Sequence, residues 1–158
     1  MTQEQNCAPP RVQLFMWLLV QGRIKSRSVL HRKKICADQT CEVCGQAAET
    51  PNHIIAGCQI AVLFWQRLNL SAILDVQVAS THNIMPSGGV PTEELPAFLS
   101  LCCWQLWKAR NAKVFRQQTL SIQDILITCK TAVEQWRFRL PRRNKQIAVV
   151  WCQLFEMA

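Results

Sequence analysis

The sequence contains no tyrosine. A metal-binding catalytic turn of the Tyr-x-Asp-Asp type is therefore excluded, and no other paired aspartates occur. Glycine is scarce, and "GRIKS" lacks the spacing of a phosphate loop; no Gly-x-Ser-x-Gly nucleophile elbow exists either. His82 has no nucleophile near it in sequence. Long apolar runs are missing too: "LFMWLLV" is seven residues long, against roughly 18 for a bilayer span, so no membrane partner is expected. The opening "MTQEQNCAPP" has neither a secretory signal nor an arginine-rich mitochondrial pattern, which assigns the chain to the nucleus or the cytoplasm. Acidic side chains are few, ten against 18 lysines and arginines, giving a net charge of +8 and a pI near 9.3. Such a surface favours polyanionic partners, nucleic acid or acidic lipid. Internal repeats and low-complexity tracts are absent.

What is present is globular: 49% apolar and 18% charged residues, in a length of 158 that suits one domain or one domain with an appended element. Nine cysteines in a small secreted chain would suggest disulfides. Here the number is odd, "CC" at 102 and 103 sits in an apolar helical segment, and no export signal exists, so reduced thiols or metal ligands fit better.

The apolar periodicity predicts a mainly α fold. A first helix follows Pro9 and Pro10, turns Val12, Phe15, Met16 and Leu19 to one face and stops at Gly22. Ser26 caps a second short helix in which Val29 and Leu30 face inward while Arg27, Arg32, Lys33 and Lys34 stay solvated. Thr50 and Pro51 read as the N-cap and first residue of a further short helix, stopped by Gly57, and "AVLFWQRLNL" returns to helical spacing. Residues 70–91 lose periodicity and end in "PSGGVP", a connector. A long helix then runs from Thr92, Glu93 and Glu94 to Phe115, with Pro96 tolerated in its first turn. Ser121 and Asp124 form a capping box ahead of the stripe Ile122, Ile125, Leu126, Cys129, Ala132, Val133, Trp136 and Leu140. The division is a helical domain over 9–69 that carries the irregular cysteine-containing stretch, the connector, an antiparallel helical hairpin over 92–140, and a basic C-terminal tail over 141–158 that is left without a placement.

Zinc enters through "CEVCGQAAETPNHIIAGC". Cys41 and Cys44 have Cys-x-x-Cys spacing, and Gly45 beside them can take positive φ, turning backbone amides toward the sulfurs. His53 and Cys58 can converge on the same point, Cys58 because Gly57 lets the chain fold back. Three thiolates and one imidazole complete a closed tetrahedral site for one structural Zn2+, with no open position for water. Redox-active or simply buried Cys41 and Cys44 are the alternative, with His53 a surface residue; Cys36 and His31 are nearby alternative ligands.

The apolar helix with Trp17, the basic stretch to Lys34, Cys-x-x-Cys-Gly, Glu49 ahead of a histidine, the final cysteine and Trp65 together resemble the zinc-binding domain of plant non-LTR retrotransposon reverse transcriptases, over about residues 9–68. The resemblance implies a zinc-stabilised helical module that follows a polymerase domain and contacts nucleic acid, with ligands at Cys41, Cys44, His53 and Cys58. "WQLWKARNAKVF" is similar to the helical segment that precedes ribonuclease H in such elements. Where ribonuclease H strands would begin there is only "NKQIAVVWCQLFEMA", so the chain reads as a non-enzymatic fragment of a retroelement.

The candidate nucleic-acid surface is Arg23, Lys25, Arg27, Arg32, Lys33 and Lys34 beside the zinc loop, with Lys108, Arg110, Lys113 and Arg116 on the long helix. Binding to RNA or DNA through phosphates would be salt-dependent and weakly sequence-specific. Trp17, Trp65, Trp104, Trp107 and Trp136 lie on apolar stripes and are expected in the core rather than stacked on bases. The alternative function is a protein-interaction adaptor that offers apolar helix faces to a protein partner, its charge serving only solubility.

Overall fold

The computed structural model describes residues 7–75, 92–140, 142 and 145–158. Most of the expected connector, with His82, lies outside them. Helix α1 spans Pro10–Val20, α2 Arg27–Arg32 and α3 Gln59–Arg67; α4, Leu95–Arg116, is the longest, and α5, Ile122–Trp136, and α6, Lys145–Met157, complete the order. Short turns at His53–Gly57, Ser71–Asp75 and Thr92–Glu94 precede α3, follow it and lead into α4. The fold is mainly α; among the described residues the extended pairing is an isolated antiparallel bridge between Thr40 and Ala48.

Helix α4 organises the rest. Its buried residues include Leu95, Phe98, Leu99, Leu101, Cys102, Cys103 and Leu106, which occupy more than one face, as expected of a helix surrounded by others rather than lying on a surface. Pro96 sits in its first turn, where a missing amide costs no hydrogen bond. Phe15 of α1 packs edge-on against Trp104 of α4 at 5.2 Å between centroids and is stacked with Trp107 at 5.9 Å. Helix α5 returns along α4 after a short connection. Ser121 accepts a hydrogen bond from the Asp124 amide and Asp124 accepts one from the Ser121 amide, closing the expected capping box. The predicted stripe is the buried one: Ile125, Leu126, Cys129, Ala132, Val133 and Trp136 are inside.

The segment left unplaced by the sequence is helical where it is described. Helix α6 buries Ala148, Trp151 and Phe155, spaced i, i+3 and i+7. Phe98 of α4 meets Trp151 at 5.4 Å and Phe155 at 5.2 Å. Burying two such aromatic rings outweighs the β-branched character of "IAVV", which weakens helix propensity by only a few tenths of a kcal/mol per residue.

One hydrophobic cluster runs through both halves of the chain, from Val12, Phe15 and Leu19 through Ile54, Ile55, Phe64 and Trp65 to the inner faces of α4, α5 and α6. Trp17 departs from the expectation. It is 53% exposed, whereas Trp65 and Trp136 are buried as expected and Trp104 and Trp107 are partly buried against the core. The inward face of α1 is the expected one, with Val12, Phe15 and Leu19 buried, but the helix is apolar on almost every side, so nothing in its pattern marked Leu14 and Trp17 as outward.

Candidate metal centre

The loop between α2 and α3 folds into a knuckle through its own backbone. The Cys41 amide donates to the Ala47 carbonyl at 2.8 Å, the Gly45 amide to the Cys41 carbonyl at 2.8 Å, and the Glu49 amide to the Gln39 carbonyl at 2.8 Å. Gly45 takes φ +65°, the left-handed conformation its position next to the Cys-x-x-Cys pair required. The second half-site comes from the turn after Thr50. Its hydroxyl accepts from the His53 amide at 3.0 Å, capping the turn as the sequence indicated.

That turn is wider than an α-helix. Residues His53–Gly57 form a π-turn, and the Cys58 amide donates to the His53 carbonyl at 2.6 Å. The added residue in the turn places the imidazole and the Cys58 thiol on the same side. Gly57 contributes by its size: its φ is not positive, and a Cβ there would lie 3.1 Å from His53 Nδ1. This corrects the expectation that Gly57 serves by reversing the chain. Trp65 Nε1 donates to the Ile55 carbonyl at 2.6 Å and so fastens the turn to α3.

The ligand atoms of Cys41, Cys44, His53 and Cys58 all lie within 4.8 Å of one another. Zn–S bonds of about 2.3 Å in a tetrahedron separate ligand atoms by roughly 3.8 Å, so the cluster needs little contraction. Cys44 Sγ and His53 Nε2 are already 3.4 Å apart, which assigns Nε2 to the metal side. Cys41 and Cys58 are buried and share a hydrogen bond that lowers the pKa of Cys41 and raises that of Cys58; burial raises both, and the amides of Cys44 and Val43 further favour the Cys41 thiolate. A divalent cation replaces that shared proton with a stronger attraction for both sulfurs. The alternative ligands are turned elsewhere: Cys36 Sγ is bonded to the Asp38 and Arg27 carbonyls, and His31 Nδ1 meets the Cys36 carbonyl.

Around the knuckle, two of the ten cations proposed for nucleic acid are engaged in ion pairs within the fold, Arg110 buried and Arg27 partly so. Arg110 is 5% exposed; its Nε donates to Glu49 Oε2 at 3.0 Å and its Nη2 to Glu49 Oε1 at 2.5 Å. Glu49 is fully buried and also accepts from the Arg27 amide at 2.8 Å, at the start of α2. Arg27 pairs with Glu42 and Asp38. Both arginines were expected on a solvated face, and both are tied to carboxylates of the zinc loop instead. Lys113 is half-buried and donates to Thr119 Oγ1 at 3.1 Å. Arg23, Lys25, Arg32, Lys33, Lys34, Lys108 and Arg116 are exposed. One cation was missed: Arg11, also exposed, lies close enough to Lys108 that, after desolvation, it pushes the lysine below its usual pKa. Its isolation on α1, twelve residues before the next basic side chain, gave no sign of this.

The geometry defines a closed Cys3His zinc site, structural in kind, held between short helical elements. Residues 4–65 match the family model described as zinc-binding in reverse transcriptase, and the Cys41, Cys44, His53 and Cys58 cluster within that stretch is suited to one zinc ion. A protein of Arabidopsis thaliana named "Putative ribonuclease H protein" is 22% identical over 135 residues, covering 82% of this chain. The chain spans 22% of the length of that relative. No solved structure matches the chain. No helix among the described residues is long and apolar enough to cross a membrane.

Proposed function

We propose that the protein is a non-catalytic, retroelement-derived module that binds RNA or DNA through phosphate contacts beside its structural zinc. One observation carries the reading. Between Glu4 and Asp38 the chain has no acidic residue and seven basic ones, while three acids of the zinc loop, Asp38, Glu42 and Glu49, are engaged with Arg27 and Arg110. The internal pairs thus consume the local negative charge and leave Arg23, Lys25, Arg32, Lys33 and Lys34 exposed together on the zinc unit. Arg11, Lys108 and Arg116 extend the positive surface along α1 and α4. The zinc ion has no role in chemistry here, because all four coordination positions are filled by side chains; it fixes the loop whose carboxylates hold α2 in place.

Binding is tested by the salt dependence of affinity for generic RNA and DNA. The expected log–log slope is negative and falls in magnitude by about 2 when Lys33 and Lys34 are both replaced by Glu. Unchanged affinity in that variant contradicts the proposal. The adaptor reading draws on the exposed apolar side chains Leu14, Ile35 and Phe115, and it expects no nucleic-acid binding at any salt concentration.

A further inference from the structure

Trp17 combines three properties that none of its five counterparts brings together; Trp107 also has a guanidinium over its ring, Arg110 Cζ at 5.1 Å, but is partly buried against the core. Trp17 is more than half exposed, it lies on an outer arc of α1 with Leu14 at 58% and Val20 at 39% exposure, and a guanidinium lies over its ring, Arg23 Cζ at 5.9 Å from the centroid. The position of Arg23 is built rather than incidental. Gly22 takes φ +64°, the Gly22 amide donates to the Leu19 carbonyl and the Arg23 amide to the Leu18 carbonyl; this helix stop turns the chain back beside α1. Lys25 follows, exposed.

A large aromatic surface left to water costs stability, and a second apolar layer from a protein would leave the neighbouring cations without counterions. A flat ring carried on a phosphate chain satisfies both. We infer that Trp17 is a stacking platform for an unpaired nucleobase of single-stranded RNA or DNA, with Arg23 and Lys25 neutralising the phosphates on either side of that base. The inference rests on the nucleic-acid reading above and adds to it a preference for unpaired over duplex substrate, because bases inside a duplex present no free face. Stacking on an aromatic ring tolerates any base, so the site discriminates by strandedness and not by sequence.

The test uses the full zinc-loaded chain and two probes, an unstructured single strand of about 12 nucleotides, within the site sizes of single-strand binders, and a duplex of the same length. Trp17→Leu keeps apolar volume but removes the π face; Trp17→Phe keeps a smaller one. Zinc content and far-ultraviolet circular dichroism establish that each variant is folded. The expected result is that Trp17→Leu weakens single-strand binding by about tenfold or more while Trp17→Phe retains most of the affinity, that duplex affinity is the same in all three proteins, and that the salt slope is unchanged. Wild-type single-strand affinity in Trp17→Leu overturns the stacking platform and leaves the nucleic-acid reading intact, as does an equal loss on both probes. Absence of any wild-type binding at low salt overturns both. Self-association of the wild type that is abolished in Trp17→Leu shows that a second copy covers this face, and likewise overturns the inference.

Discussion

Arg110 reaches from the C-terminal third of the longest helix to Glu49 in the zinc loop and binds both carboxylate oxygens, with neither side chain appreciably exposed to water. The two residues are 61 positions apart. Through Glu49, which also accepts the Arg27 amide, one helix of the C-terminal half, the start of α2 and the metal loop share a single carboxylate. The zinc-binding family match ends at residue 65, so the counterion that this loop needs comes from outside the matched segment.

Removing either partner leaves an uncompensated buried charge. Arg110→Ala and Glu49→Ala should each destabilise the protein by about 3–5 kcal/mol, whereas Arg110→Met combined with Glu49→Leu should recover much of that loss. Urea denaturation of the four proteins forms a double-mutant cycle, and additive losses would show that the pair does not act as a unit.

Gly57→Ala places a methyl group 3.1 Å from His53 Nδ1. The ring must give by a few tenths of an ångström and leave its present position relative to the three sulfurs, and zinc affinity measured by competition with a chelator should fall by about tenfold or more, the range seen when metal ligands lose their positioning contacts. A Gly45→Ala variant, where nothing lies within 4 Å of the added carbon, should instead lose stability through its positive φ, by about 1–2 kcal/mol.

These two glycines show how much of the site was legible. Cys41, Cys44, His53 and Cys58 could be read because the ligands lie within 18 residues and zinc accepts few donor sets. The π-turn could not, because its need arises from where the imidazole must point rather than from local propensity. Ser121 and Asp124 were readable for the same local reason as the zinc ligands. Arg27 and Arg110 were misread as solvated because their carboxylates lie 11 or more residues away, and charge alone carries no information about a distant partner. Helix α6 went unplaced because its apolar stripe gains meaning only when Phe98 is there to receive it.

Lys34 ends α2 in the left-handed conformation, φ 58°, which glycine adopts without strain. Lys34→Gly should therefore raise thermal stability, by up to about 1 kcal/mol, while reducing the salt slope of nucleic-acid binding by about 1. Stability and affinity move in opposite directions, so a loss of binding in this variant does not reflect unfolding.

The Asp124 carboxyl is held below its ordinary pKa of 3.8, first by the Ser121 hydroxyl and then by the Ser121 amide. A depressed folded-state pKa stabilises the fold above the unfolded value and ceases to do so as pH falls through the folded one. Ser121→Ala should thus be less stable than wild type near neutral pH, with the difference shrinking in acid below about pH 4. Thermal melts across pH 3–7 check this, and a constant difference contradicts it.

The most direct test is metal content set against structure under reducing conditions. The purified chain should carry one zinc, and chelation or Cys44→Ser should remove it together with much of the helical signal, since binding free energies of about 10–16 kcal/mol for such sites are folding free energies. A chain that retains its helicity and cooperative unfolding without metal would contradict the account.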